Sequence, residues 1–258
     1  MESMDRARGR LYLVPNSLDF GAPGNLPDLL DVLPLGVVRT AARLTHWVAE
    51  NAKTTRAFLK RVDAVQALAV PLQSLSIIVL PRPQKGMAGA APVSLDALLA
   101  PTRDGHDIGL ISEAGLPAVA DPGAALVQCA HALGLEVVAL PGPSSLLLAL
   151  AASGLNGQSF AFVGYLPVGQ SERGARIREL EALSRRGAQT QLMIETPYRN
   201  AALMAAMLAH LQPGTRLSVC CGLTLAEGFN RTDTVAGWKA RPAALPADVP
   251  VVFSLLAV

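Results

Sequence analysis

Short apolar runs alternate along the chain with longer segments whose apolar residues recur at helical spacing. Nine runs rich in apolar and β-branched residues predict strands, at residues 10–14, 46–50, 75–80, 107–111, 136–140, 160–164, 191–195, 217–221 and 250–255. Four further segments predict helices, at residues 124–133, 145–152, 173–186 and 198–211. Because strands that alternate with helices suit crossover connections, this order predicts an α/β fold.

A helix stop predicts where the chain divides into domains. Gly154 ends the helix in the run SSLLLALAASGLNGQS, and Asn156-Gly157 offers a turn directly after it. A chain of 258 residues has room for one large domain or two smaller ones. We therefore expect an N-terminal α/β domain over residues 10–155 and a C-terminal α/β domain over residues 156–258.

Composition places the chain among globular proteins and excludes several function classes. Hydrophobic residues make up 51% of the chain and charged residues 16%, which excludes a disordered protein. Aromatic residues make up 4%, too few for a module that stacks several bases of single-stranded nucleic acid. The net charge of +2 excludes a polycation, so any contact with nucleic acid must come from a local patch.

No segment predicts export, a membrane span or a metal site. Unbroken apolar stretches, such as residues 146–152, are far shorter than the roughly 18 to 20 residues that cross a bilayer. Cys129 stands alone and Cys220 adjoins Cys221, which predicts reduced thiols without a zinc site. The four histidines are scattered without metal-ligand spacing. We expect a cytoplasmic protein that binds neither a membrane nor a metal.

Two loops of small residues follow predicted strands and mark a candidate ligand site. The first covers residues 112–117, and the second covers residues 141–145 and leads into a helix. Open α/β sheets hold ligands at the carboxyl ends of their strands, where glycine and serine let the backbone approach closely. In the structural alternative, the glycines only make tight turns and Ser144 or Ser145 only caps a helix.

Several familiar nucleotide and hydrolase motifs are absent. The chain has no G-x-G-x-x-G after its first predicted strand and no G-x-x-x-x-G-K-[ST]. The run Gly142-Pro143-Ser144-Ser145-Leu146 lacks the second glycine of a nucleophile elbow. These absences argue against a dinucleotide-binding Rossmann site, a P-loop and a serine hydrolase.

Five motifs resemble, in one order, those of the tetrapyrrole methylase superfamily of S-adenosylmethionine-dependent methyltransferases. They are residues 112–117 with Asp121-Pro122-Gly123, residues 141–145, Ser153-Gly154-Leu155, Gly164-Tyr165-Leu166-Pro167 and Glu195-Thr196-Pro197-Tyr198-Arg199. Their order and spacing are most similar to the branch that contains the 16S rRNA cytidine 2′-O-methyltransferase. The resemblance runs from about residue 11 to the C-terminus, and residues 50–56 resemble the E-D-T-R-x-T-R of that branch.

The resemblance implies a fold, a cofactor and an activity. It implies two α/β domains with S-adenosylmethionine in the cleft between them, and commonly a homodimer. By their positions in the motifs, the cofactor-binding residues would be Ser112, Glu113, Ala114, Gly115, Pro117, Ser144, Ser145, Glu195, Thr196 and Thr224. The implied reaction is methyl transfer to RNA, at a ribose 2′-hydroxyl of rRNA. A small-molecule acceptor such as a tetrapyrrole and a non-catalytic protein that binds S-adenosylmethionine or a nucleotide are the alternatives.

The chain departs from the motifs of the family at three places. S-D-A-G-T-P reads S-E-A-G-L-P at residues 112–117, and the first-strand loop T-P-I-G-N reads P-N-S-L-D at residues 15–19, with Gly24-Asn25 only later. The acid and the arginine of E-D-T-R are replaced by Asn51 and Lys53. These changes leave the expected fold intact, and they keep both the RNA and the small-molecule acceptor open.

Methyl transfer from a sulfonium needs few acid–base residues, because alignment of nucleophile, methyl and sulfur does most of the catalysis. A hydroxyl acceptor would benefit from a base. Glu50, Glu113 and Glu195 are the candidate catalytic residues. In the structural alternative, these carboxylates accept backbone N–H bonds or pair with Arg56 or Arg199.

Basic residues concentrate in one segment of the N-terminal half. Residues 39–61 contain six basic residues and a single acid, Glu50. The basic residues are Arg39, Arg43, Lys53, Arg56, Lys60 and Arg61. Lys53 and Arg56, with Arg199, are candidate substrate-binding residues. A patch that faces an anion and a solvated helix face would give the same pattern. A second basic group at residues 173–186 is interleaved with glutamates, which favours an exposed helix with i,i+4 ion pairs.

Residues 81–94 form a low-complexity stretch, PRPQKGMAGAAPVS. A surface connection between a strand and a helix and a mobile flap over a substrate are both compatible with this composition.

Overall fold

A computed structural model describes residues 8–19, 26–81, 94–246 and 248–257. The chain divides into two compact units, Met1–Pro143 and Ser144–Val258, and each unit contains one five-stranded sheet. Within the described residues, no helix has both the length and the apolar character needed to cross a membrane.

The first unit is built on a fully parallel sheet. Its elements are β1 (Leu11–Leu13), α1 (Leu29–Val32), α2 (Leu35–Arg43), β2 (His46–Ala49), α3 (Ala52–Val65), β3 (Ser76–Val79), α4 (Leu95–Leu99), β4 (Ile108–Ile111), α5 (Ala124–Ala132) and β5 (Val137–Ala139). The strands lie in the order β3-β2-β4-β1-β5, and every pairing is parallel. All carboxyl ends therefore lie at one edge of the sheet, which we call the first-unit edge.

Both faces of this sheet are covered by helices. Tyr12 and Trp47 pack with residues of α2 and α3, whereas their neighbours Leu11 and Val48 pack with residues of α4 and α5. This alternation follows the two-residue period of a strand. Gly109 of β4 makes room for the indole, because a Cβ at that position would lie 2.7 Å from two carbons of the Trp47 ring.

The sequence did not predict α2 and α3, although they hold most of the basic segment. Asn51 begins α3, and its Oδ1 accepts a hydrogen bond of 2.9 Å from the backbone N–H of Lys53. The buried face of α3 is formed by Thr55, Phe58, Leu59 and Val62. Charged and polar residues separate most of these positions, so the buried face does not appear as a long apolar run.

The second unit is built on a mixed sheet. Its elements are α6 (Ser145–Ser153), β6 (Phe160–Phe162), α7 (Gln170–Gly187), β7 (Thr190–Glu195), α8 (Asn200–His210), β8 (Arg216–Cys221), β9 (Phe229–Thr234), α9 (Val235–Ala240) and β10 (Val251–Leu256). The strands lie in the order β6-β7-β10-β8-β9. β6 pairs with β7 in parallel, and the other pairings are antiparallel. β7 and β8 consequently end at the same edge, which we call the second-unit edge.

The two faces of the second sheet bury different helices. Residues of α7, α8 and α9 cover one face, where Cys221 is buried. Helix α6 covers the other face, where Ala149 and Leu150 pack against a cluster that includes Cys220. Adjacent residues of β8 therefore point into separate layers, as the strand period requires.

The predicted α/β fold is confirmed; besides the helices, one strand and the division between the units differ from the sequence prediction. All nine predicted strands are present, with ends shifted by one or two residues. The strand β9 was not predicted, because FNRTDT is polar and lies at the end of the sheet. The predicted division followed residue 155, whereas the compact units divide after Pro143. Since α6 packs on the second sheet, it belongs to the second unit.

The exposed helix expected at residues 173–186 is partly buried. Helix α7 carries an i,i+3 ion pair, with 2.7 Å between Arg176 Nη1 and Glu179 Oε2. Arg173 and Glu181 are buried. Glu181 accepts hydrogen bonds from the Thr215 hydroxyl and, at 2.8 Å, from the backbone N–H of Gln212. The interleaved charges thus serve packing as well as solvation.

Candidate functional site

The loops after β1 and β4 are tied together at the first-unit edge. Asn16 and Gly115 exchange backbone hydrogen bonds of 2.9 and 3.1 Å. The side-chain amide of Asn16 donates to the carbonyls of Ser112, at 3.3 Å, and Glu113, at 2.9 Å. The loop at residues 112–117 is therefore held in place by the first-strand loop.

Two of the three predicted catalytic acids meet at this edge. Glu50 Oε2 accepts a hydrogen bond of 3.1 Å from the backbone N–H of Glu113, and the Asn51 amide donates to Glu113 Oε1 at 2.8 Å. An aspartate at position 51 could not donate this bond. Two departures from the family motifs, Asn51 and Glu113, are thus in direct contact and complement each other.

Asp121 adds a third carboxyl group that the sequence analysis quoted only as part of a motif. The pKa of Asp121 is raised to about 7, first by burial and then by the nearby charges of Glu50 and Glu113. The Ser112 hydroxyl acts in the opposite direction, with a smaller effect. The group therefore changes its charge near neutral pH.

No basic side chain neutralises these three carboxyl groups within the described ranges. Glu50, Glu113 and Asp121 form none of the ion pairs found there. The same part of the chain contains no cluster of three or more His, Cys, Asp and Glu residues arranged to hold a metal ion. An uncompensated group of acids favours a cationic ligand over an anionic one.

Gly115 has a conformational role in the loop. Its φ angle is +66°, and a Cβ there would lie 3.3 Å from Leu18 Cδ2. The adjacent candidate Ala114 and the nearby Pro117 are buried. Gly115 therefore makes a tight turn that a residue with a Cβ would strain, and its backbone groups bond to Asn16.

The third predicted acid lies in the second unit and is compensated. Glu195 ends β7, and its Oε2 lies 2.9 Å from Arg199 Nη2. Its Oε1 accepts hydrogen bonds from the backbone N–H of Thr196, at 2.8 Å, and from the Thr196 hydroxyl, at 3.2 Å. Arg199 also donates to the carbonyl of Leu166 at 3.4 Å. The pairing with Arg199 that the sequence left open is the one observed.

The remaining cofactor candidates of the second unit lie toward the second-unit edge. The Ser153 carbonyl accepts a hydrogen bond of 2.8 Å from Thr232, and the Ala149 carbonyl lies 3.9 Å from Cys220 Sγ. Helix α6 thus runs along β8 with its N-terminus toward the end of that strand. Ser144 is buried and makes no capping bond, and Ser145 opens the helix.

Thr224 lies three residues beyond the end of β8. It is exposed and has a φ of +72°. No hydrogen bond of the Thr224 side chain is present among the described residues. Its place after β8 agrees with a loop position at the second-unit edge.

Two basic residues of the segment at residues 39–61 are already paired with acids of the first unit. Arg43 pairs with Asp107 at 2.6 Å, and Arg61 pairs with Asp19 at 2.7 Å. The other basic residues of α3 are Lys53, Arg56 and Lys60, and all three are exposed. Because they recur at helical spacing, they share one face of the helix. We call these three residues the α3 basic stripe.

Two features of the sequence analysis fall outside the described residues. Gly24-Asn25 is one, and residues 82–93 of the low-complexity stretch, for which a surface connection and a flap were both open, are the other. Asn16, Asn51 and Asp121 belong to the site although none of them was among the candidate site residues. Asp121 had a signal, since it lies in a quoted motif, whereas the two asparagines act through contacts between distant loops.

Comparisons with known proteins identify the family. The model of the family "Tetrapyrrole (Corrin/Porphyrin) Methylases" matches residues 36–235. Relatives named "Ribosomal RNA small subunit methyltransferase I" are 41% identical over 155 residues in Mesorhizobium japonicum and 32% identical over 233 residues in Bacillus subtilis. These alignments cover 59% and 89% of this chain.

A third relative of that name, from Halalkalibacterium halodurans, is 30% identical over 218 residues, which are 84% of this chain. The chain spans 50% of the Mesorhizobium japonicum protein, 65% of the Halalkalibacterium halodurans protein and 70% of the Bacillus subtilis protein. The relatives are therefore longer than the part of them that this chain matches.

Solved structures share the fold. A uroporphyrin-III-C-methyltransferase from Thermus thermophilus is 19% identical with a TM-score of 0.51, and its alignment covers 95% of this chain and 92% of that one. The methyltransferase CobJ is 18% identical with a TM-score of 0.55, and its alignment covers 95% and 93%. Since the family match extends through most of both units, the chain belongs to the tetrapyrrole methylase family.

Proposed function

We propose that the protein is an S-adenosylmethionine-dependent methyltransferase whose acceptor is the RNA of the small ribosomal subunit, at a ribose 2′-hydroxyl. The observation that carries this proposal is the similarity to the Bacillus subtilis protein, which is named for that substrate and aligns with 89% of this chain. The uncompensated acids at the first-unit edge support the choice of cofactor.

The carboxyl groups at the first-unit edge fit the positive charges of S-adenosylmethionine. This cofactor carries a sulfonium and an ammonium, and Glu50, Glu113 and Asp121 offer negative charge without a basic partner in the described part of the chain. In our assignment, the first unit holds the cofactor through Ser112, Glu113, Ala114, Gly115 and Pro117. The second unit contributes Ser144, Ser145, Glu195, Thr196 and Thr224.

When bound, S-adenosylmethionine supplies a methyl group that is open to in-line displacement. Asp121 is suited to take the proton of an acceptor hydroxyl, because its pKa of about 7 lies near the working pH. Glu50 and Glu113 tune that pKa by their charge and hold the loop through their hydrogen bonds. Glu195 has a positioning role for Thr196 and Arg199.

The α3 basic stripe is the part of the basic segment that we assign to RNA. Lys53, Arg56 and Lys60 are exposed on one face of α3, where they can contact phosphates of an RNA backbone. We also propose that the protein acts in the cytoplasm as a homodimer, which light scattering coupled to size-exclusion chromatography would test.

The first experiment measures the methyl donor and the acceptor class. Calorimetric titration with S-adenosylmethionine should give a micromolar dissociation constant, which corresponds to about −8 kcal/mol. Labelled methyl transfer into a fractionated extract of cells that lack the protein should place the label in small-subunit RNA. Label confined to the small-molecule fraction would replace RNA by a small acceptor, and label in neither fraction would favour binding without catalysis.

The second experiment tests the α3 basic stripe. Changing Lys53, Arg56 and Lys60 together to Gln should weaken RNA binding about tenfold or more. The slope of log K against log salt concentration should become shallower by about two, because about that many phosphate contacts are lost. Binding of S-adenosylmethionine should remain at the level of the unaltered protein. The matched control removes three exposed charges elsewhere, in the variant Arg103→Gln/Arg186→Gln/Lys239→Gln. Equal losses in both variants would contradict the assignment of the stripe.

A further inference from the structure

A surface cavity of about 300 Å³ lies between α7 and α8 of the second unit. It is lined by Gln170 and Arg173 of α7 and by Ala202, Ala205, Ala206 and His210 of α8. The three alanines leave the space open, because their side chains end at Cβ. The lining contains basic and polar groups and no acid.

Arg173 is a buried cation without an anionic partner. The residue is only 7% exposed, and its Nε has no hydrogen-bond acceptor. Its Nη1 donates to the carbonyl of Val168 at 3.3 Å. None of the ion pairs in the described ranges includes it. The neighbouring carboxylate of Glu172 lies against Gly169 instead.

An unpaired buried charge is costly, and proteins generally neutralise it with a partner. The described part of the second unit provides no such partner, and the guanidinium lines an open cavity. These observations indicate that the anion comes from outside the chain.

His210 also lines this cavity, and a contact with Arg178 fixes the tautomer of its neutral ring. Its Nδ1 lies 3.0 Å from Arg178 Nη1, and a guanidinium can only donate, so Nδ1 is the acceptor. In the neutral ring, the proton then resides on Nε2. Nε2 faces α7 at Gly174, where a Cβ would approach it to 2.6 Å. The glycine thus leaves room for the imidazole against α7.

We propose that this cavity is an anion site that binds a phosphate group. Arg173 supplies the positive charge, and the fork of its guanidinium matches phosphate oxygens. The side-chain amide of Gln170 and the imidazole of His210, which both line the cavity, supply neutral polar groups. The phosphate belongs either to the backbone of an RNA acceptor or to a free phosphate or phosphomonoester. The site does not require methyl transfer, so it stands or falls independently of the proposed function.

The test changes the charge of the cavity without touching Arg173. Ala205 is exposed on α8 and lines the cavity, so Ala205→Glu places a carboxylate in it and Ala205→Gln adds a neutral side chain of the same size. Ala201→Glu is the control, because Ala201 is exposed on the same helix outside the lining. Titration with inorganic phosphate is followed by NMR shifts at constant ionic strength.

We expect saturable phosphate binding that Ala205→Glu weakens about tenfold or more, because a like charge opposes the ligand. Ala205→Gln and Ala201→Glu should stay within about threefold of the unaltered protein. Absence of saturable binding, or an equal loss in the Glu and Gln variants at position 205, would overturn the proposal. Titration with S-adenosylmethionine on the same variants shows whether the cofactor site is intact.

A second arm separates the two sources of phosphate. If an RNA backbone supplies the group, a single-stranded oligonucleotide from small-subunit rRNA should displace inorganic phosphate, and Ala205→Glu should weaken RNA binding. If free phosphate is the ligand, RNA affinity should be the same in all variants while phosphate binding falls in Ala205→Glu. RNA binding that falls equally in Ala201→Glu would overturn the RNA arm.

Discussion

Carboxylate groups lie at the strand-end edges of both sheets, but in the described part of the chain only the second unit pairs its carboxylate with a basic residue. At the first-unit edge, Glu113 accepts a hydrogen bond from the Asn51 amide and Glu50 accepts one from the backbone N–H of Glu113. Neither these two acids nor Asp121 forms an ion pair within the described residues. At the second-unit edge, Glu195 is buried against Arg199. A compensated carboxylate becomes part of the framework, whereas an uncompensated one keeps its charge available to a ligand.

The largest expected effect comes from removing the charge of Glu195 at the second-unit edge. Glu195→Ala should destabilise the protein by about 3 kcal/mol, because it leaves Arg199 without its buried partner. Glu195→Gln should lose about half as much, since it keeps an acceptor for Thr196. Urea denaturation followed by circular dichroism measures both.

The counterpart at the first-unit edge is Glu50→Gln. The amide oxygen can still accept from the backbone N–H of Glu113, and the loss of charge relieves repulsion with Asp121. Stability should therefore stay within about 0.5 kcal/mol of the unaltered protein. A loss at Glu50 as large as that at Glu195 would show that the two edges do not differ in this way.

A smaller effect is expected from two glycines, Gly115 at the first-unit edge and Gly154 at the C-terminal end of α6. Gly115 and Gly154 both have positive φ, at +66° and +64°, but only Gly115 has a side chain, Leu18, within 4 Å of the position of a Cβ. Gly154→Ala should cost about 1 kcal/mol from the backbone alone, and Gly115→Ala about 2 kcal/mol. Thermal unfolding compares the two variants, and equal losses would mean that the contact with Leu18 is easily relieved.

A small effect is also expected from the dependence of stability on the protonation of Asp121. The folded protein keeps this proton up to a pKa of about 7, whereas an unfolded aspartate loses it near 3.8. Because the folded state binds more protons between these values, stability falls as pH rises from about 4 to about 7 and then levels off. The side chain is only half-buried, so the fall should be about 1 kcal/mol.

Asp121→Asn should remove this part of the pH dependence, and melting temperatures measured from pH 4 to pH 8 would detect the change. The control is Asp104→Asn, because Asp104 is exposed in the first unit. A pH profile that Asp121→Asn leaves unaltered would show that this carboxyl does not titrate in the neutral range.

Nine strands of the fold were predictable, whereas the strand β9 and the helices α2 and α3 were among the elements that were not. Parallel strands buried on both faces are continuous apolar runs, and β4 is wholly buried. In contrast, α2 and α3 bury a narrow stripe and expose their basic residues, and β9 is polar and lies at the end of its sheet. Sequence patterns detect burial, so elements that are largely exposed escape them.

The candidate site divides in a similar way. The motif residues of the loops were found from the sequence, because small residues after strands have a recognisable pattern. The contacts of Asn51 with Glu113 and of Asn16 with the loop after β4 join residues that are far apart in the chain. The raised pKa of Asp121 depends on burial and on two distant charges, which only the folded chain brings together.

The adjacent thiols of β8 provide separate reporters for the two layers of the second unit. Burial raises the pKa of both Cys220 and Cys221, so each thiol reacts slowly with an alkylating reagent until its layer opens. Because Cys220 faces α6 and Cys221 faces the opposite layer, their alkylation rates report on two different opening events. Mass spectrometry of one short peptide would therefore time the loosening of both faces of a single strand.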